Sequence, residues 1–96
     1  MTIQDLLKEK RREILEIAAK HGAYNVRVFG SVARGEEGPE SDVDFLIDAG
    51  PHRTPFFPGG LLMDLEELLG RKVHVVTEKA VHWYIRERVL KEAKPL

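Results

Sequence analysis

The stretch Phe29-Gly30-Ser31-Val32-Ala33-Arg34-Gly35, followed by Ser41-Asp42-Val43-Asp44, decides the reading of this 96-residue chain. Val26 and Val28 alternate with Arg27 and Phe29, so Asn25–Phe29 is predicted to be a short strand. Gly30 breaks it. Without a Cβ, Gly30 lets the backbone approach a ligand closely. Ser31 suits the N-cap of a short helical turn through Val32-Ala33-Arg34, where free backbone N–H groups favour a phosphate. Arg34 is placed to meet an anion, or to pair with Glu36 or Glu37. Asp42–Ile47 reads as a second strand, with Val43, Phe45 and Ile47 on one face. Asp42 and Asp44, two apart, then project from the same face with Cα atoms roughly 6–7 Å apart. Two such carboxylates can share Mg²⁺, whose oxygen shell water and phosphate complete. Gly-Ser after a strand is by itself an ordinary turn, and Asp-x-Asp an ordinary solvated pair. Their combination points to phosphoryl or nucleotidyl transfer.

Outward from this centre, helix and strand periods alternate. Thr2–His21 has apolar residues at helical spacing (Leu7, Ile14, Leu15, Ala18) and charges on much of the other face. Thr2 and Asp5 resemble a capping pair, and Gly22 is a natural stop. Ala49–Gly59 holds three of the five prolines and reads as a loop. Gly60–Leu69 is predicted to be a helix burying Leu61, Leu62, Leu65, Leu68 and Leu69. Lys72–Thr77 is a third strand. Lys79–Glu92 is a closing helix with Val81, Ile85, Val89 and Leu90 apolar, and order is expected to end at Pro95. The expected fold class is α/β (α+β): one domain over residues 1–96, with a small mixed sheet of three strands flanked by helices.

Composition bounds the function. The net charge is −1, yet Glu36 to Asp48 carries six acidic residues and no Lys or Arg. The rest of the chain has 15 basic residues against the ten remaining acids. Glu36, Glu37 and Glu40 read as solvated loop, and Asp42 and Asp44 as a cation site. No apolar run approaches the ~20 residues that span a bilayer. The N-terminal residues lack a signal-peptide pattern, and there is no cysteine. A cytoplasmic protein without disulfides or thiolate metal sites is expected. The basic run Lys8-Glu9-Lys10-Arg11-Arg12 is short and interleaved with acid, so direct nucleic-acid binding is not expected.

The string Phe-Gly-Ser-x-Ala-Arg-Gly…Ser-Asp-x-Asp, with ten residues between Ser31 and Asp42, resembles the signature of the DNA polymerase β-like nucleotidyltransferases. More narrowly, it is similar to their smallest branch, the minimal nucleotidyltransferases, over nearly the whole chain. That resemblance implies a polymerase β-like palm fold. It implies that Gly30 and Ser31 hold the β- and γ-phosphates of a nucleoside triphosphate, with Arg34 nearby. It implies that Asp42 and Asp44 bind Mg²⁺, or Mn²⁺ in its place. It further implies an antitoxin that transfers AMP from ATP to a tyrosine of a partner HEPN toxin. A homo-oligomer of the free chain is compatible with that reading.

One position departs from the family pattern. Active members carry a third acidic residue on the next strand, in a context like Lys-Val-Asp-Leu-Val. This chain has Arg71-Lys72-Val73-His74-Val75-Val76. His74 in the third-carboxylate position brings less negative charge and favours softer metals than Mg²⁺. It can be a ligand or general base, a strand histidine without a role, or the mark of a decayed site. Asp48, about 13 Å along the strand from Asp44, does not substitute for it; nor do Asp64 on its helix or Glu78 past the strand end. A weak or inactive antitoxin acting by binding alone is therefore the alternative to the enzyme. Transfer to a nucleic acid or to an aminoglycoside-like molecule is a third, disfavoured by the near-neutral charge and the absence of a second domain. Trp83 and Tyr84 are expected in the core, Phe56 and Phe57 over the core's edge, and His21 and His82 in unremarkable positions.

Overall fold

The computed structural model describes residues 2–36, 38 and 41–96. The expected solvated positions Glu37 and Glu40 lie outside them. The sheet is organised around β2 (Val43–Ala49), whose Val43, Phe45, Leu46 and Ile47 are all essentially inaccessible. Val43, Phe45 and Ile47 join the larger core cluster, as the alternation predicts, while Leu46 belongs to a second, smaller one. A strand buried on both faces needs this near-continuous apolar run.

β1 (Ala23–Phe29) pairs antiparallel with β2, and β3 (Val73–Thr77) pairs parallel with it. The parallel step requires a crossover, which α4 (Gly59–Leu69) supplies by burying Leu61, Leu65 and Leu69. The three expected strands are joined by a fourth. β4 (Lys94–Pro95) pairs with β1, giving the order β3-β2-β1-β4. Order thus continues past the expected end at Pro95, because proline is tolerated on an edge strand and the Leu96 N–H donates to the Val26 carbonyl at 3.2 Å.

The predicted first helix is two helices, α1 (Ile3–Glu9) and α2 (Arg11–Lys20), broken at Lys10. The Thr2–Asp5 capping box is present. α1, α2 and α4 bury their apolar residues in the larger cluster. α5 (Trp83–Glu92) packs with the smaller one, placing Val89 against Leu46.

The closing helix begins later than its periodicity suggested. A 3₁₀ turn at Glu78–Ala80 and extended Val81 precede α5. That break shifts the helical phase, so Trp83 and Tyr84 are 79% and 77% exposed rather than in the core. Phe57 packs against the core as expected, but Phe56 is 93% exposed.

His21 is far from unremarkable. It is buried at the end of α2, with Nδ1 2.6 Å from Thr54 Oγ1 and Nε2 2.7 Å from Asp64 Oδ2. A carboxylate oxygen can only accept, so Nε2 donates to Asp64 Oδ2, while Nδ1 shares the hydrogen bond with the threonine hydroxyl. This bridge fastens the proline-rich loop to α2 and α4. His21→Ala should lower unfolding free energy by about 2–4 kcal/mol, through lost packing and two stranded partners. Urea denaturation measures it, and a loss below about 0.5 kcal/mol would show that the bridge does not hold the loop.

Candidate active site

Side chains of β2 alternate between the two faces of the sheet, and Asp44, Leu46 and Asp48 share the face covered by α5. The register carries that face sideways. Phe29 of β1 lies opposite Asp44, and His74 of β3 lies beside it. α5 covers Leu46 in the middle and leaves a charged group at each end of the strand.

At the far end, Arg27 bridges Asp48 at 2.9 Å and Glu78 at 3.3 Å, and Arg86 also reaches Glu78. The Asn25 amide, together with Arg27, holds the Asp48 carboxyl below its ordinary value against the effect of burial. Asp48 and Glu78 are thus paired with Arg27, and Asp64 with His21. A cavity of about 500 Å³ opens beside this end and contains none of the motif residues.

At the near end, a cavity of about 450 Å³ gathers Gly30, Ser31, Arg34, Asp42, Asp44 and His74. Four elements converge there: the turn from β1 into α3 (Gly30–Arg34), the start of β2, the start of β3 and one face of α5, which adds Ile85, Arg88, Val89 and Glu92. Gly30 is the joint. Its φ is +74°, and a Cβ there would lie 2.3 Å from Asp44 Oδ2. Any side chain would occupy the space in which backbone and carboxylate meet.

Ser31 is not the N-cap. Phe29 takes that place without a side-chain capping bond, so Ser31 falls in the first turn of α3 and lines the cavity. Asp42 immediately precedes β2 rather than starting it, and its Oδ2 lies 3.0 Å from His74 Nε2. His74 therefore faces the same cavity as the two aspartates.

Arg34 pairs with Glu36, one of its two expected partners, at 2.8 Å. Its second partner, Glu92 at the end of α5, has no signal in the motif. Glu92 Oε1 accepts from Arg34 Nη1 at 2.6 Å, and Oε2 accepts from the Gly30 N–H at 2.8 Å. Its side chain is only 14% exposed. The contact joins residues 62 positions apart, so only the tertiary fold reveals it.

The electrostatics follow. Burial pushes the Asp44 carboxyl above its ordinary value; His74 opposes that, while Asp42 and Glu92 add to it. Burial also pushes Glu92 up, but the Arg34 and Gly30 hydrogen bonds outweigh it, and the Glu92 carboxyl sits below its ordinary value. Among the described residues, no three His, Cys, Asp or Glu side chains are grouped to hold a metal ion. The carboxylates available as hard donors are those of Asp42 and Asp44, since the Glu92 carboxylate, which also lines the cavity, is held by Arg34 and the Gly30 N–H. They suit a cation such as Mg²⁺, which keeps several waters and takes phosphate oxygens.

Residues 10–96 match the family described as the nucleotidyltransferase domain. The chain belongs to that family. A solved structure described as a candidate minimal nucleotidyltransferase superposes with a TM-score of 0.84 at 44% identity, covering 96% of this chain and 94% of that one. A candidate protein adenylyltransferase of Methanocaldococcus jannaschii is 37% identical over 91% of this chain and 94% of its own length. The protein adenylyltransferase MntA of Thermococcus cleftensis is 35% identical over 94% of this chain and 88% of its own. These likenesses place the chain in the minimal branch of the DNA polymerase β-like superfamily, with the fold expected of it. A toxin–antitoxin complex solved with AMP-PNP shares the fold at a TM-score of 0.74 and 19% identity, over 88% of this chain and 69% of that one. No helix among the described residues is long and apolar enough to cross a membrane.

A carboxyl with a lowered pKa stabilises the folded state above its unfolded value, near 4.5 for Glu92, and that stability is lost as pH falls through the folded value. Glu92→Gln should therefore cost about 1 kcal/mol at pH 7 and progressively less below pH ~4. Denaturation midpoints of both proteins between pH 3 and pH ~7 measure this. A difference that grows on acidification would contradict it.

Proposed function

We propose that this protein is an antitoxin that transfers AMP from a divalent-metal complex of ATP to a tyrosine hydroxyl of a partner HEPN toxin, and so neutralises it. One observation carries the reading: Gly30 packs backbone-first against Asp44, with Ser31, Asp42 and His74 around the same cavity. That puts phosphate donors beside two hard carboxylates. The adenylyltransferase relatives support AMP as the transferred group, and the toxin–antitoxin complex of the same fold supports a toxin as acceptor.

Asp42 and Asp44 would hold the cation, with Mg²⁺ or Mn²⁺ suited to their oxygens. The bound metal would supply charge neutralisation on the polyphosphate and orientation of the reacting oxygens. Gly30 and Ser31 would bind phosphate oxygens, and Arg34 would add positive charge beside them. Burial first, and then repulsion from Asp42 and Glu92, raises the Asp44 carboxyl, and a bound cation would favour its ionised form. His74 would accept a hydrogen bond or proton at the acceptor's side of the site. Paired to Asp42, it would also fix that carboxylate's orientation.

The His74–Asp42 pair favours a second reading, in which catalysis is weak and the protein neutralises the toxin by binding alone. Both readings are tested by incubating the protein with labelled ATP, Mg²⁺ or Mn²⁺, and a HEPN toxin from the same genome. Labelled toxin is expected, with Asp42→Ala and Asp44→Ala each lowering the rate by about 10²-fold or more. His74→Asp should raise the rate, by restoring a third carboxylate. A stable complex that inhibits the toxin without label, unaffected by either alanine, would replace the enzyme with the binder. Equal or slower transfer by folded His74→Asp would remove the third-carboxylate account of this position.

A further inference from the structure

Glu92 fills the place that the proposed chemistry needs empty. The Gly30 N–H is a natural donor to a phosphate oxygen, and here it donates to Glu92 Oε2 at 2.8 Å. Arg34, the cation of the same turn, donates to the other oxygen of that carboxylate at 2.6 Å. A carboxylate bridging a backbone N–H and a guanidinium makes the same charge-assisted contacts as two phosphate oxygens. It also adds negative charge beside Asp42 and Asp44, where a triphosphate already has to overcome repulsion.

We propose that Glu92 is a resident phosphate mimic, an intrasteric plug that the triphosphate must displace from Gly30 and Arg34. The inference rests on the proposed reading of Gly30 as a phosphate donor. Displacement is a side-chain movement. Glu92 is the last residue of α5, and the helix stays fastened without it by buried Val89 on one side and the β4–β1 pairing on the other. Gly30 and Arg34 are therefore satisfied in the free protein and exchange one anion for another. Nucleotide affinity is held down by the cost of expelling a bound carboxylate.

Three proteins test this: the natural chain, Glu92→Gln and Glu36→Gln. Glu36→Gln removes the same charge from the same guanidinium, because Glu36 pairs with Arg34 Nε, but Glu36 is not bonded to the Gly30 N–H. The probe is inorganic tripolyphosphate without metal, titrated calorimetrically, with thermal denaturation confirming that each variant is folded. Glu92→Gln should bind about tenfold tighter than the natural chain, the scale of one charge-assisted hydrogen bond. Glu36→Gln should stay within about twofold by the same scale. In carbon-13 spectra of the natural chain, the Glu92 carboxyl resonance should move with the binding isotherm.

Equal or weaker binding by Glu92→Gln, an equal gain in Glu36→Gln, no binding by any of the three, or binding that leaves the Glu92 resonance still would each overturn the proposal. The outcome is separable from the activity. Tighter phosphate binding with no AMP transferred to the toxin keeps the plug and removes the transferase. Transfer with unchanged phosphate affinity does the reverse.

Discussion

The contact between the Gly30 backbone and the Asp44 carboxylate is the constraint on which the site depends. Gly30 takes a φ of +74°, which L side chains rarely adopt, and a Cβ there would sit 2.3 Å from Asp44 Oδ2, so glycine lets the turn after β1 lie on β2 without strain or a shift of that carboxylate. The antiparallel register that sets Phe29 opposite Asp44 brings them together. The parallel register of β2 and β3 adds His74 on the other side. Donors to phosphate, hard carboxylates and an imidazole then meet at one sheet end.

α5 completes this arrangement. The helix covers only the middle of its sheet face, so Leu46 and Val89 form a small apolar cluster between two charged ends. The ends are treated differently. Around Arg27, Asp48 and Glu78, each charge has an opposite partner. Around Asp44, carboxylates outnumber cations, and burial raises the Asp44 carboxyl further. Structural networks neutralise themselves, whereas a surplus of one sign in a cleft is characteristic of a binding site. Glu92 links the helix to this imbalance, because it supports the Gly30 turn while competing with the anion that the turn can hold.

Much of this was legible in the chain. The glycine, the serine and the two aspartates declare themselves by spacing, and the alternation of Val43, Phe45 and Ile47 locates their strand. What was not legible has physical causes. Glu92 lies 62 residues from Gly30, and no local pattern marks a glutamate at a helix end as a partner of a distant turn. The His21 bridge to Thr54 and Asp64 joins three segments of different period. Trp83 and Tyr84 read as core because one helical phase was carried across the break at Val81. β4 is two residues long, too short for any periodic signal, and it exists through pairing alone.

The central claim is that Gly30, Asp42 and Asp44 form a metal–nucleotide site. Crystals grown with Mn²⁺ and a non-hydrolysable ATP analogue, with data collected near the manganese absorption edge, test it directly. The account predicts an anomalous peak bridging the Asp42 and Asp44 carboxylates, with analogue phosphate against Gly30 and Ser31. Analogue bound elsewhere, or manganese absent from both carboxylates while the analogue is bound, would contradict it.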